Sequence, residues 1–95
     1  MFCAGLVTGF GPIDGGINQE AWLGLQDAKA GHLVDRIDAI ETIDARDRAK
    51  NISTFAEDGY DVIITVGASI SDETTAAAQK YTSLLFIGVE QPQGS

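Results

Sequence analysis

The hydrophobic positions of the chain fall into four short runs, at residues 2–8, 33–40, 61–66 and 84–89. Runs of this length bounded by glycine or charged residues are typical of β-strands. The third run is almost continuously apolar from Val62 to Val66, which indicates a strand buried on both faces at the centre of a parallel sheet. In the second run Leu33, Ile37 and Ala39 alternate with interrupting charged residues, which indicates an edge strand.

Segments with helical periodicity lie between these runs. The first of them, residues 17–30, carries apolar or small side chains at helical spacing, namely Ile17, Ala21, Trp22, Leu25 and Ala28. Gly31 then occupies the position of the glycine that follows many helices. A second helix is predicted from an Asp44 N-cap to Gly59, and a third helix begins at a Ser71 N-cap.

Strands that alternate with helices predict an α/β fold with a parallel sheet and right-handed crossovers. We expect a three-layer α/β/α, flavodoxin-like sheet with strand order 2-1-3-4. The prediction is one domain over residues 1–95, with residues 92–95 as a tail or a cloning remnant. In such sheets ligands bind beyond the carboxyl ends of the strands, where the strand order reverses. Here that point lies between strands one and three.

Three segments follow strands at this edge: residues 9–16 after strand one, residues 67–70 after strand three, and Glu90 after strand four. The predicted ligand contacts are Gly9, Phe10, Gly11, Asp14, Asn18, Gly67, Ala68, Ser69 and Glu90. The first loop lacks the lysine of a P-loop, and Asp14 stands where a dinucleotide fingerprint has its third glycine. Carboxylates accept paired hydrogen bonds from sugar diols, so the loops fit a neutral, hydroxyl-rich ligand better than a phosphate.

Structural alternatives stand beside these ligand-binding interpretations. Asp14 could instead cap the first helix or shape a turn, and Asn18 has the same two alternatives. The pattern around Trp22 favours packing in the core over stacking on a ligand.

Composition and charge exclude several classes of function. The 95 residues carry a net charge of −8, which would repel a phosphate backbone, so we expect no nucleic acid partner. No apolar run approaches a membrane span and no signal peptide opens the chain, so we expect no membrane insertion. Cys3 and His32 provide neither a metal-ligand spacing nor a catalytic pair. We therefore expect no metal, no cofactor and no enzyme activity.

The stretches that carry a family resemblance are residues 6–14 (LVTGFGPID), 18–25 (NQEAWLGL), 55–67 (FAEDGYDVIITVG) and 85–91 (LFIGVEQ). In order and spacing they resemble the basic membrane protein family, the PnrA-like substrate-binding proteins of ABC importers. The chain departs from the family pattern at three positions. Gly9 stands where an acidic residue is frequent, Ile17 where an aromatic residue stacks on a base, and Glu90 where aspartate is usual.

The resemblance implies a partial N-terminal lobe, natural or engineered, of a type I periplasmic binding protein. The two lobes of such proteins close on a small solute, often a purine nucleoside, so the second lobe would be a missing partner. A family parent would act outside the cytoplasm, periplasmic or lipid-anchored. This chain, without a signal peptide, would be cytoplasmic when produced.

The alternative to a ligand-binding lobe is a self-associating structural fragment with no ligand activity of its own. Strand four would present an open edge and apolar side chains, which invite association. The sequence therefore also predicts a homo-oligomer, specifically a homodimer that buries residues 84–89.

Overall fold

The computed structural model describes residues 1–90, so the predicted tail at residues 92–95 lies outside the described part of the chain. Four strands form one parallel sheet in the order β2-β1-β3-β4, which confirms the predicted order. The elements are β1 (Cys3–Thr8), α1 (Gly16–Ala30), β2 (Arg36–Ile40), α2 (Arg48–Glu57), β3 (Val62–Val66), α3 (Ser71–Lys80) and β4 (Leu85–Val89). Short 3-10 turns, Ala45–Asp47 and Ala68–Ile70, lead into α2 and α3.

The core lies in two layers, one on each face of the sheet, which completes the predicted three-layer architecture. On one face α1 covers the strands, with Leu25 packed in a cluster that includes Leu6 and Val66. The other face, on the side of α2 and α3, carries a second cluster, formed by Val7, Ile52, Phe55, Tyr60, Ile63 and Ile70. The alternation of Leu6 and Val7 on β1 supplies one side chain to each layer, as a strand buried on both faces requires.

Close approach of α2 to the sheet depends on Gly5 in β1. A β-carbon at this position would lie 2.5 Å from the ring of Phe55, far inside van der Waals contact. The absence of a side chain at Gly5 therefore lets the Phe55 ring lie directly on the strand.

Strand β2 begins later than the sequence indicated. It starts at Arg36, and Leu33, expected on its buried face, is 76% exposed while Val34 is buried. The prediction for Leu33 was wrong because the turn after α1 continues through this residue. Ile37 and Ala39 do pack against the α1-side cluster, and β2 is an edge strand as predicted.

Helix α1 ends in a turn that two backbone hydrogen bonds close. After α1 the Leu33 amide donates to the Ala28 carbonyl, and the His32 amide to that of Lys29. This is the Schellman arrangement, whose C′ residue is left-handed. That residue is His32, at φ 64°, whereas Gly31 has φ −84°. The expected role of Gly31 was therefore wrong by one position.

The residues expected as helix caps behave differently from each other. Asp44 accepts a hydrogen bond of 2.9 Å from the Arg46 amide, so it caps the 3-10 turn that leads into α2. Ser71 lies inside α3 and its hydroxyl donates to the Ala68 carbonyl at 2.9 Å. The 3-10 turn precedes Ser71, and therefore the predicted Ser71 cap does not form.

Strand β4 is the second edge of the sheet, and its two sides differ in burial. Leu84 and Phe86 pack against the α2–α3 layer. On the opposite side Leu85 is 56% and Ile87 is 42% exposed. Helix α1 covers the other strands on that side but leaves these two side chains uncovered.

Candidate ligand-binding site

The loop that follows β1 is held from both neighbouring strands. The Gly9 amide donates to the Val66 carbonyl at 2.7 Å, and the Gly11 amide donates to the Thr42 carbonyl at 2.8 Å. Val66 ends β3 and Thr42 lies just beyond β2. The loop therefore sits at the carboxyl edge of the sheet, where the sequence predicted it.

The loops after β1 and β3 meet at Gly9. A β-carbon on Gly9 would lie 2.6 Å from the Ser69 hydroxyl oxygen and 2.7 Å from the Val66 carbonyl oxygen. The serine hydroxyl thus rests directly against the backbone of the first loop. Two of the predicted segments, residues 9–16 and 67–70, are brought together here.

A chain of buried hydroxyl groups fixes the base of the first loop. The Thr8 hydroxyl donates to the Gly11 carbonyl at 2.7 Å and accepts from the Thr42 amide at 2.9 Å. The side-chain nitrogen Nδ2 of Asn51, on α2, donates to the Thr42 hydroxyl at 3.0 Å. Thr8 and Thr42 are fully buried, so these hydrogen bonds satisfy polar groups that burial would otherwise penalise.

A cation from α2 also reaches this loop. Nε of the half-buried Arg48 donates to the Gly9 carbonyl at 2.8 Å. The sequence analysis missed Arg48, Thr42 and Asn51, since nothing in their spacing links them to the first loop. The one available signal was Thr8, a hydroxyl at the end of a buried strand.

Asn18 braces the other end of the same loop. Its side-chain nitrogen donates to the carbonyls of Phe10 and Pro12, both at 3.0 Å. Glu41, which the sequence analysis also missed, accepts from the Ile13 amide at 2.7 Å. The turn-shaping alternative for Asn18 is thus seen in the structure, and its role toward a ligand stays a prediction.

Asp14 neither caps α1 nor pairs with another side chain in residues 1–90. Helix α1 begins after Gly15, with no side-chain hydrogen bond at its N-cap, and the Asp14 side chain is exposed. Gly15 and Gly16 have positive φ angles of 95° and 59°, which glycine adopts without strain. The Asp14 carboxylate is therefore available to solvent and to a ligand.

The loop after β3 turns sharply at Gly67, whose φ is 104°. The Gly67 amide donates to the Val89 carbonyl at 2.9 Å, which ties this loop to the end of β4. Glu90 follows directly, exposed and in the left-handed region at φ 58°. Asp14 and Glu90 thus belong to loops after β1 and β4, and β3 separates those two strands.

The described residues contain no group of three or more histidine, cysteine, aspartate or glutamate side chains that could hold a metal ion. Within the same part of the chain, no helix is long and apolar enough to cross a membrane. What the site offers is backbone amides and carbonyls, the Ser69 hydroxyl, the exposed Phe10 ring and two exposed carboxylates. These groups can bind a polar solute, and they include no nucleophile paired with a base.

Eight chains of solved structures match this fold, and two of them are described here. A candidate lipoprotein from Peptoclostridium difficile 630, described as a fragment, matches with a TM-score of 0.82 and 22% identity, over 100% of this chain and 78% of that one. An ABC transporter solute-binding protein from Conexibacter woesei DSM 14684 matches with a TM-score of 0.73 and 19% identity, over 90% of this chain and 28% of that one. The architecture is therefore one found among solute-binding proteins.

The family follows from the sequence itself. The Bmp family, described as ABC transporter substrate-binding protein PnrA-like, matches residues 6–91. The chain belongs to this family, which confirms the resemblance. A search of curated proteins gave no match.

Proposed function

We propose that this chain forms one wall of the ligand cleft of an ABC transporter substrate-binding protein, and that the solute is a nucleoside or a similar hydroxyl-rich molecule. The observation that carries the proposal is the contact of the two loops at Gly9 and Ser69. Family membership supports the class of activity, and the loop contact supports the proposed location. Both loops lie at the edge where parallel sheets bind ligands.

The chemistry of the exposed groups favours hydroxyl-rich ligands. A carboxylate such as Asp14 or Glu90 accepts two hydrogen bonds from neighbouring hydroxyl groups of a sugar. Ile17 is half-buried and packs against the α1-side core, so it offers no stacking surface. Phe10 is 64% exposed and is the aromatic ring in the first loop that can stack on a base.

A single wall binds a ligand weakly, because small-molecule sites usually enclose most of the ligand surface. This chain spans 28% of the Conexibacter protein. In the proposal a second lobe outside this sequence completes the enclosure and the whole protein works outside the cytoplasm. The present chain alone should bind nucleosides with a Kd on the order of millimolar, because few contacts offset the cost of association.

The test is a titration with adenosine and with adenine, followed by the backbone amide resonances of the chain. We expect Gly9, Phe10 and Ser69 to shift with adenosine, and to shift less with adenine, which lacks the ribose hydroxyls. Asp14→Asn should weaken adenosine binding. The matched control is Asp58→Asn, which removes one exposed carboxylate at the end of α2 and should leave binding unchanged.

Equal shifts with adenosine and adenine would contradict the role of the hydroxyl groups. Shifts confined to residues outside the two loops would contradict the location of the site. If no residue shifts up to the solubility limit of adenosine, nucleoside binding by this wall is contradicted.

The uncovered side of β4 supports a second candidate, self-association. Leu85 and Ile87 are exposed on an edge strand, and such edges pair readily with another chain. In this proposal two copies form a homodimer that buries β4. Light scattering over a concentration series should show a dimer that Ile87→Lys converts to monomer. Leu23→Lys, at an exposed leucine on α1, should leave the dimer intact, and a monomer at all concentrations would refute the proposal.

A further inference from the structure

A groove on the outer surface of α2 and α3 has no part in the site described above. It has a volume of about 370 Å³, and its lining includes Ala49, Ser53, Glu73, Ala76, Ala77 and Tyr81. Three of these residues are alanines, whose methyl groups make up part of a mostly apolar lining. We call it the α2–α3 groove. It shares no residue with the predicted ligand contacts.

One polar atom of the groove lining lacks a partner. Oε1 of Glu73 is buried, and no hydrogen bond reaches it from residues 1–90. A buried carboxylate oxygen without a donor is costly, because it has lost its water and gained nothing in return. No group of residues 1–90 supplies that donor, so water or a bound ligand would supply it.

The charges around the groove favour a cationic donor. Asp72 and Glu73 both line the groove, and neither forms an ion pair with a basic side chain of the described residues. The one basic residue of the lining, Lys80, lies two helical turns further along α3. Its ammonium sits 5.2 Å from the centre of the Tyr81 ring, in a cation–π arrangement.

We propose that the α2–α3 groove binds a small alkylammonium ion. Its ammonium group donates a hydrogen bond to Oε1 of Glu73, and its alkyl body lies along the methyl groups of Ala49, Ala76 and Ala77. The volume is within the range of small-molecule sites. Asp72 and Glu73 would repel a carboxylate ligand. A neutral alcohol would not form the charge-assisted hydrogen bond to Glu73. This inference is independent of the proposed nucleoside site.

The test compares butylammonium chloride, butan-1-ol and sodium butyrate as ligands, with amide resonances as the readout. Butylammonium should shift Glu73, Ala76, Ala77 and Tyr81, with a Kd on the order of millimolar for so small a ligand. The alcohol and the butyrate should bind at least about tenfold more weakly, the ratio expected for loss of a charged hydrogen bond.

Two variants separate specific binding from general attraction to an acidic protein. Glu73→Gln should weaken butylammonium binding about tenfold, while Asp58→Asn, which removes the same charge outside the groove, should leave it unchanged. Ala76→Leu should block the groove while keeping every charge. Equal weakening by Glu73→Gln and Asp58→Asn, unchanged binding in Ala76→Leu, or shifts scattered over the acidic surface would each overturn the proposal.

Discussion

Nε of Arg48, at the start of α2, donates a 2.8 Å hydrogen bond to the carbonyl oxygen of Gly9, 39 residues earlier in the chain. This contact joins the second helix to the loop that follows the first strand. The Gly9 amide also donates a hydrogen bond to the Val66 carbonyl, so both the amide and the carbonyl of Gly9 have partners. The first wall of the proposed cleft is therefore anchored from two elements that are distant in sequence.

Arg48→Ala should loosen this loop. We expect a loss of about 1.5 kcal/mol in the free energy of unfolding, since hydrogen bonds from charged donors contribute this much. Urea unfolding would measure the loss, and the Gly9 and Phe10 amides should exchange faster with solvent. The control is Arg46→Ala, because Arg46 is exposed and its pair with Asp44 lies at the surface. Equal effects of the two variants would contradict a specific role for Arg48.

Gly9→Ala should disturb the meeting point of the two loops. The added carbon would fall 2.6 Å from the Ser69 hydroxyl and 2.7 Å from the Val66 carbonyl. We expect a loss of about 1–3 kcal/mol in unfolding free energy, as for other overpacked sites. Ser69→Gly in the same chain should recover only part of that loss, because the carbonyl contact remains. Gly24→Ala, in a helix with open space around it, should instead stabilise the chain by about 1 kcal/mol.

The hydrogen bond from the Tyr60 hydroxyl to the Asp38 carboxylate should make stability depend on pH. Tyr60 and then Arg36 lower the pKa of Asp38 by hydrogen bonding to its charged form. A lowered folded-state pKa adds stability above the unfolded pKa, which is lost as pH falls through the folded value. Tyr60→Phe should cost about 1 kcal/mol at pH 7, and the difference from the unmodified chain should shrink below pH 3.8. Urea unfolding at pH 3 and pH 7 would test this, and an equal difference at both values would refute it.

Ionisation of Tyr60 should make the free energy of unfolding depend on pH in the alkaline range as well. Burial and then the Asp38 hydrogen bond raise the pKa of Tyr60 from 10.0 to about 12. A raised folded-state pKa gives stability that is complete below the unfolded value and is lost as pH rises through the folded value. The unmodified chain should therefore lose this contribution between pH 10 and about pH 12. Tyr60→Phe should show no such loss, which tyrosinate absorbance and unfolding curves together would measure.

Replacing His32 by glycine should stabilise the turn after α1. His32 occupies the left-handed region at φ 64°, and relief of this strain should add about 0.5–1 kcal/mol to the free energy of unfolding. Gly31→Ala should also stabilise the chain by about 0.4–1 kcal/mol, since φ at Gly31 is −84° and alanine adopts it freely. Destabilisation by Gly31→Ala in thermal or urea unfolding would show that Gly31, and not His32, holds the left-handed position.

The strand order and the two-sided core could be predicted because they depend on local patterns. The nearly continuous apolar run within residues 61–66 indicated a central strand, and the charges around Ile37 indicated an edge strand. The end of α1 could not be predicted to the residue, because the composition favours Gly31 at C′ while the hydrogen bonds select His32. That one-position shift also moved Leu33 out of the strand.

The position of the two loops of the candidate site could be predicted, but the contacts that hold these loops in place could not. The position of the loops follows from topology, so residues 9–16 and 67–70 were expected to meet. The contacts that hold them come from Thr42, Arg48 and Asn51, and a hydrogen bond between residues far apart in sequence leaves no spacing pattern to detect. A single sequence therefore indicates which loops lie together more readily than which side chains hold them in shape.

The buried Thr8 hydroxyl has one more consequence. Its bonds to Gly11 and Thr42 join groups of the protein to one another, so folding itself orders the base of the loop. The conformational freedom of those residues is lost when the chain folds and not when a solute arrives. Association should then be fast and limited mainly by diffusion, with little rearrangement of the backbone near Thr8.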